Sequence, residues 1–172
     1  MAWAAPLFLG TPLFSGDGWS YVATGYLTGH GQSPYVVTPE VLPPLLRSGV
    51  SPRWIDTPSP YGALPLEWGA LFSQMTHNPW LLLLAYRVFA LIGLAVVAWA
   101  VPRLARRGGH DPVDASALVV ASPFVLAHGI GGLHNDLPMV GLMLVAGVGW
   151  NADSVGSVTI NGSVATCRRR CS

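Results

Sequence analysis

The sequence contains an almost unbroken apolar run, "PWLLLLAYRVFALIGLAVVAWAV", Pro79–Val101. Its length matches the roughly 20 residues that cross the hydrocarbon core of a bilayer as a helix. The run is followed at once by "PRLARR", in which Arg103, Arg106 and Arg107 supply positive charge. Because such charges favour the cytoplasmic side, we expect this end of the helix in the cytoplasm and the end near Asn78 outside.

The overall composition agrees with a membrane protein. Hydrophobic residues make up 51% of the 172-residue chain, charged residues make up 10%, and mean hydropathy is +0.46. The formal net charge of +1 comes with scattered arginines, so no basic surface for nucleic acid is expected. The two cysteines, Cys167 and Cys171, lie in neither a CxxC pair nor a cluster with histidine, and they predict no disulfide framework or zinc site.

Upstream of the apolar run we predict the end of a transmembrane helix over residues 1–14 and an extracytoplasmic loop over 15–78. The loop begins with Asp17, which places its carboxylate at the membrane surface. Apolar side chains then recur with the spacing of a short amphipathic helix lying in the interface, at Trp19, Val22, Ala23, Tyr26 and Leu27. A second interfacial helix is expected from about Leu64 to Met75.

Downstream we predict a cytoplasmic loop over 102–114 and a second transmembrane helix over 115–133, "ASALVVASPFVLAHGIGGL". This helix returns the chain outward. Residues 134–150 then contain the His134-Asn135-Asp136 motif on the outer face, followed by a span too short to cross the membrane. After residue 150 the composition changes abruptly, and we interpret 151–172 as a frame-shifted or non-native tail. The alternative is a genuine polar terminus after a short re-entrant helix.

The predicted topology brings Asp17, His134, Asn135 and Asp136 to one outer face, where they form a candidate polar site. Ionisable groups at the mouth of a membrane bundle are often functional. Each acidic residue also has a purely structural interpretation, because Asp17 can be the N-cap of the first interfacial helix, and Asn135 or Asp136 can open the helix that follows.

Three loop residues are candidates for substrate binding. Trp54 and Tyr61 can stack on the apolar face of a sugar ring, or they can be aromatic residues of the membrane interface. Arg53 can bind a phosphate through charge-assisted hydrogen bonds, or it can be solvated. Arg87, inside the first complete span, requires a polar cavity or a partner unless its side chain extends to the interface.

The order of four motifs resembles a known family. These are "FSGDGWSYVATGYLTGHGQSPY", "DTPSPYGALPL", a span ending in "PRLARR", and "GGLHNDLPMVGLM". Together they are similar to the actinobacterial polyprenol-phosphomannose-dependent α-(1→6)-mannosyltransferases, over about residues 5–150. The resemblance implies an all-α polytopic membrane protein. The chain would be a fragment of a GT-C-like helical bundle, with a long extracytoplasmic loop that carries short interfacial helices.

The resemblance also implies an inverting hexosyltransferase of the plasma membrane, with its active site outside. By the resemblance, Asp17 would be the catalytic base. From the chemistry of their own side chains, we expect substrate to be bound by His134, Asn135, Asp136, Tyr61, Trp54 and Arg53. The donor would be polyprenyl phosphomannose and the acceptor a lipomannan-type glycolipid in contact with membrane lipid, with a divalent cation as a possible cofactor. Because the family's members have more spans, the fragment alone is expected to be inactive. The alternative interpretation is a fragment of a transporter or channel, with the polar groups lining a pore.

Overall fold

In the computed structural model, residues 10–13 and 16–149 are described, and all regular elements among them are helical. The prediction of an all-α chain is confirmed for this part. The elements are α1 (Asp17–Gly29), a 3-10 turn (Pro39–Val41), α2 (Pro44–Arg47), α3 (Ala63–Ser73), α4 (Pro79–Arg107), α5 (Pro112–Val120), a π-helical segment (Val125–Gly131) and α6 (Asp136–Gly149). The predicted tail over 151–172 and most of the predicted span end over 1–14 lie outside the described residues.

Helix α4 is the described helix that is long and apolar enough to cross a membrane. Its start is fixed by Asn78, whose side chain accepts a hydrogen bond from the Trp80 N–H at 2.9 Å, and by Pro79 in the first turn. The helix continues to Arg107, past the predicted end at Val101. The first part of the expected loop over 102–114 is therefore helical, since good helix formers follow Pro102.

The predicted transmembrane helix over 115–133 is not one continuous helix. Helix α5 ends at Val120, the π-helical segment begins at Val125, and the two pieces are bent by 50°. Pro123 lies in the break. Proline has no backbone N–H and disfavours helical geometry at the residue before it, which explains the interruption. The pair is long and apolar enough for one span if both pieces are counted together.

Helix α1 is buried on most sides and packs extensively against α3, so it is more enclosed than an amphipathic helix lying on a surface. The predicted apolar positions Val22 and Leu27 are buried, and polar Thr24 is buried with them. The Thr24 hydroxyl donates to the carbonyl of Ser20 at 2.8 Å, which satisfies the buried group within the helix. The single-face pattern therefore underestimates how much of α1 is in the core.

Helix α6 packs closely along α4. A Cβ on Gly93 would lie 2.5 Å from the Pro138 nitrogen, so only glycine permits this approach. Near the other end, the Arg107 guanidinium donates to the carbonyls of Gly147 and Val148. This contact supplies partners to the last turn of α6. The packing brings the start of α6 close to the start of α1.

Candidate active site

The candidate site lies where the first turns of α1 and α6 approach each other. Asp17 is the first residue of α1, and Gly16 holds the N-cap position. His134 precedes α6 by two residues, and its Nδ1 atom lies 3.4 Å from Oδ2 of Asp17. The two side chains are 21% and 27% exposed, so both remain accessible to a ligand. Residues 117 positions apart in sequence thus form a carboxylate–imidazole pair.

The backbone that delivers His134 is unusual. Leu133 has a φ of 55°. In the described part of the chain it is the non-glycine residue with a positive φ. Its side chain is only 2% exposed, which holds this conformation in place. A Cβ on Gly132 would lie 2.8 Å from the carbonyl oxygen of His128. Uncommon backbone geometry of this kind is concentrated at functional sites, where the surrounding packing maintains it.

Two tyrosines border the pair. The rings of Tyr21 and Tyr61 meet edge to face, with centres 4.6 Å apart, and the Asn135 N–H donates to the Tyr21 hydroxyl at 3.4 Å. Burial, assisted by the nearby charge of Asp17, raises the pKa of Tyr61 to about 12. Burial also raises the pKa of Tyr21, and the charges of Tyr61 and Asp17 add to the effect. Both phenols therefore stay protonated at neutral pH.

Tyr61 is held in place by its neighbours in the chain. Its carbonyl accepts a hydrogen bond from the Tyr35 hydroxyl at 2.9 Å, and its N–H donates to Oγ of Ser59 at 3.3 Å. The Ser59 N–H in turn donates to the Pro34 carbonyl at 2.8 Å. These bonds tie the two halves of the long loop together. The aromatic ring is consequently presented to the site by a fixed backbone.

A cleft of about 460 Å³ opens beside this cluster. Its wall is mostly apolar, with a few polar groups at one end, as is usual in ligand sites. Among the described residues, the buried Nδ2 atom of Asn135 has no hydrogen-bond partner. Asn135 also lines the cleft. The cleft is bounded mainly by Tyr21, Tyr61, Leu64, Phe89, Asn135 and Asp136.

A second cavity of about 200 Å³ lies on the other side of the HND motif. Its polar lining comes from His128, His134 and Asp136. The ring of His128 is stacked with that of His134, with centres 6.1 Å apart, and it also packs on Phe124. Asp136 is exposed and lines both cavities, so it is positioned between them.

Two predicted residues lie elsewhere. Arg53 is exposed and lines neither of the two cavities beside the HND motif. Trp54 is half-buried and lines a third cavity of about 10 Å³, which Tyr61 also lines. Arg87 is 1% exposed and donates to the carbonyl of Gly10, so a backbone group is among its partners. The structure thus brings together Asp17, His134, Asn135, Asp136 and Tyr61.

Sequence reasoning missed Tyr21 and Phe89 as part of this site. Tyr21 follows Asp17 by one helical turn, so the i, i+4 spacing was the available signal. Phe89 gave none, because one aromatic residue in an apolar span has no distinguishing pattern. As for the predicted divalent cation, the described residues contain no group of three or more His, Cys, Asp or Glu side chains suited to a metal. We derive no reaction step through such an ion.

Comparison with known proteins assigns the chain to a family whose curated members are named as glycosyltransferases. The sequence profile "alpha-(1→6)-mannopyranosyltransferase, N-terminal domain" matches residues 1–167. The chain therefore belongs to the alpha-(1→6)-mannopyranosyltransferase family, which confirms the resemblance found in its motifs and does not favour a transporter or channel.

Individual relatives support the same assignment. The chain is 41% identical over 142 residues to alpha-(1→6)-mannopyranosyltransferase A of Mycobacterium tuberculosis, covering 82% of the chain and 28% of the relative. It is 37% identical over 145 residues to the enzyme of the same name from Corynebacterium glutamicum, covering 84% and 30%. The chain thus spans less than a third of the length of these relatives. No solved structure matches.

Proposed function

We propose that this chain is the N-terminal part of a membrane enzyme that moves mannose from polyprenyl phosphomannose to a lipomannan-type acceptor in α-(1→6) linkage. The observation that carries the proposal is the contact between Asp17 and His134 beside an aromatic-walled cleft. The names of the relatives support mannosyl transfer. Because the chain spans less than a third of their length, we expect residues 1–172 alone to be inactive.

In the proposed reaction, Asp17 acts as general base. Its carboxylate accepts the proton of the acceptor hydroxyl while that oxygen attacks the anomeric carbon of the donor. The bond between the anomeric carbon and the phosphate oxygen breaks, and polyprenyl phosphate leaves with the bonding electron pair. Attack opposite the leaving group converts a β-linked donor into an α-linked product. The base is needed because a sugar hydroxyl is a poor nucleophile until its proton begins to leave.

His134 contributes to the proposed reaction by orienting the base. As a neutral imidazole with a proton on Nδ1, it donates toward the Asp17 carboxylate and orients it. The first turns of α1 and α6 place the positive ends of two helix dipoles near the same point. This combination favours an anionic leaving group beside the base.

The remaining proposed contacts concern the sugar. Tyr61 offers an aromatic face at the cleft, and Asn135 offers a buried side-chain N–H₂ that has no partner among the described residues. A sugar ring with hydroxyls and an apolar face is complementary to such a pair. Asp136, between the two cavities, would contact a hydroxyl or orient its neighbours. Roles for Trp54 and Arg53 in substrate binding stay predictions.

We further propose that the enzyme is a multi-pass protein of the plasma membrane with this site on the extracytoplasmic side. The support is α4, with its arginine-rich end at Arg103–Arg107, together with the short apolar helix α6. By the positive-inside rule, that end of α4 faces the cytoplasm. The start of α4, near the loop that carries Asp17, then faces outward. A lipid-linked donor would reach the site from the outer leaflet.

The test is a transfer assay with a full-length chimera. Residues 16–149 replace the matching segment of the Corynebacterium glutamicum relative, in cells that lack that enzyme. Membranes are supplied with labelled polyprenyl phosphomannose and a lipomannan-type acceptor. Asp17→Asn should reduce transfer by about 100-fold or more at an unchanged protein level. Asp56→Asn, in the exposed part of the same loop, is the matched control and should retain activity. Full activity of Asp17→Asn would refute the base assignment.

A further inference from the structure

A cluster of two histidines and a tyrosine lies at the opposite end of α1 from Asp17. Tyr26 lies in the last turn of α1, His30 directly follows the last residue of that helix, and His77 lies in the turn between α3 and α4. His30 lies 13 positions after Asp17, which is about 20 Å along the helix axis. Both histidines are exposed, and Tyr26 is half-buried beneath them. The cluster is therefore separate from the candidate active site and accessible to solvent.

The two imidazole rings are close enough to share one ion. The ring centres of His30 and His77 are 5.7 Å apart, with 51° between the ring planes. When two imidazoles bind one ion through nitrogens at about 2.0–2.1 Å, their ring centres lie about 5 Å apart at a tetrahedral angle. The difference is smaller than the range of motion of an exposed side chain. Small rotations of the two histidines would suffice to bring them to an ion.

The surrounding hydrogen bonds fit metal ligation. The Nδ1 atom of His30 is 2.8 Å from the Tyr26 carbonyl, which can only accept, so this nitrogen carries the proton and Nε2 holds the lone pair. The Nδ1 atom of His77 is 2.9 Å from the Tyr26 hydroxyl. The His30 ring also stacks on the Tyr26 ring at 4.0 Å. Histidine ligands commonly have their second nitrogen held by an oxygen in this way, which fixes the tautomer and the ring orientation.

We propose that His30 and His77 form a two-histidine site for a divalent transition-metal ion such as Zn²⁺. Imidazole nitrogen is a preferred ligand of Zn²⁺, Cu²⁺ and Ni²⁺. The described residues contain no third His, Cys, Asp or Glu side chain in the cluster, so water completes the coordination. The bound ion would link the end of α1 to the turn before α4. It would thereby clamp the helix whose first residue is Asp17.

The test uses the full chain purified in detergent micelles, with Cys167 and Cys171 alkylated so that thiols do not bind metal. Zn²⁺ alone is titrated by calorimetry. The wild-type chain should bind one equivalent at this site, and His30→Asn or His77→Asn should each abolish that binding. Tyr26→Phe, which removes the hydroxyl that orients His77, should weaken it by about tenfold.

Two control variants separate this site from the rest of the chain. His110→Asn alters an exposed histidine between α4 and α5 and should leave the affinity unchanged. His134→Asn removes the imidazole of the candidate active site and should also leave it unchanged. Zn²⁺ binding that persists in the His30→Asn and His77→Asn variants would overturn the proposal. Binding that disappears only in His134→Asn would overturn it as well, by assigning the ion to the other end of α1.

Discussion

Gly69→Ala should destabilise the fold, because Gly69 in α3 faces Gly25 in α1 where the two helices cross. A Cβ on Gly69 would lie 2.1 Å from the Tyr86 hydroxyl oxygen and 2.7 Å from the Cα of Gly25. The first contact displaces the hydroxyl, which donates to the Pro65 carbonyl at 2.9 Å. The second is against backbone, so the helices must move apart.

The loss of folding stability in Gly69→Ala is the sum of three effects. Overpacking costs about 1–3 kcal/mol, and loss of the buried Tyr86 hydrogen bond costs about 1–3 kcal/mol. The better helix propensity of alanine offsets about 1 kcal/mol. A net loss of about 1–5 kcal/mol lowers the melting temperature by roughly 2–20 °C for a chain of this size. Tryptophan fluorescence on heating in detergent micelles measures the shift.

Matched variants show whether the close approach is the cause. Gly147→Ala, a helical glycine whose Cβ would meet only Leu104 at ordinary contact distance, should leave the melting temperature unchanged or raise it. Tyr86→Phe in the Gly69→Ala background removes the clashing oxygen and should recover part of the loss. Gly69→Ala with wild-type stability would refute the packing of α1 on α3 described here.

Two further predictions concern pH and a helix cap. Since the pKa of Tyr61 is raised to about 12, its contribution to stability should be complete below the unfolded value of about 10 and fall as pH rises toward 12. Between pH 9 and 12 the melting temperature of Tyr61→Phe should therefore decline less than that of the wild type. Equal slopes of melting temperature against pH in the two proteins would contradict this prediction. Asp111 caps α5 by accepting from the N–H groups of Val113 and Asp114. Asp111→Ala should cost about 1 kcal/mol, read from the same thermal unfolding, and an unchanged midpoint would show that the cap contributes nothing.

Local sequence patterns predicted the helices best where pattern and packing agree. The apolar run from Pro79 predicted α4, and the spacing after Asp17 predicted a helix that the structure has over Asp17–Gly29. The break near Pro123 went unpredicted because hydropathy alone does not register a missing backbone N–H. The burial of α1 was underestimated for a similar reason. The face of α1 that packs against α3 depends on the close approach of Gly25 and Gly69. The spacing of apolar residues along the sequence does not reveal this contact.

At the candidate site, too, the sequence predicted some features and not those that depend on packing. Topology from the arginines predicted that Asp17 and His134 share one face, and the structure places them in contact. The topology could not predict which loop residues lie beside Asp17 and His134, because their position depends on how the loop folds. Tyr61 reaches the cleft through hydrogen bonds to Tyr35 and Ser59, whereas Arg53 stays exposed outside it. The sugar and its lipid carrier come from the family resemblance alone.

In the proposed mechanism, Asp17 and His134 act as one unit in mannosyl transfer. The most direct measurement is a double-mutant cycle in the full-length chimera, comparing initial transfer rates of Asp17→Asn, His134→Asn and the double variant. If the two side chains act together, Asp17→Asn loses about 100-fold or more and adding His134→Asn lowers the rate little further. Losses that multiply in the double variant, or an Asp17→Asn enzyme that keeps its rate, would contradict the account.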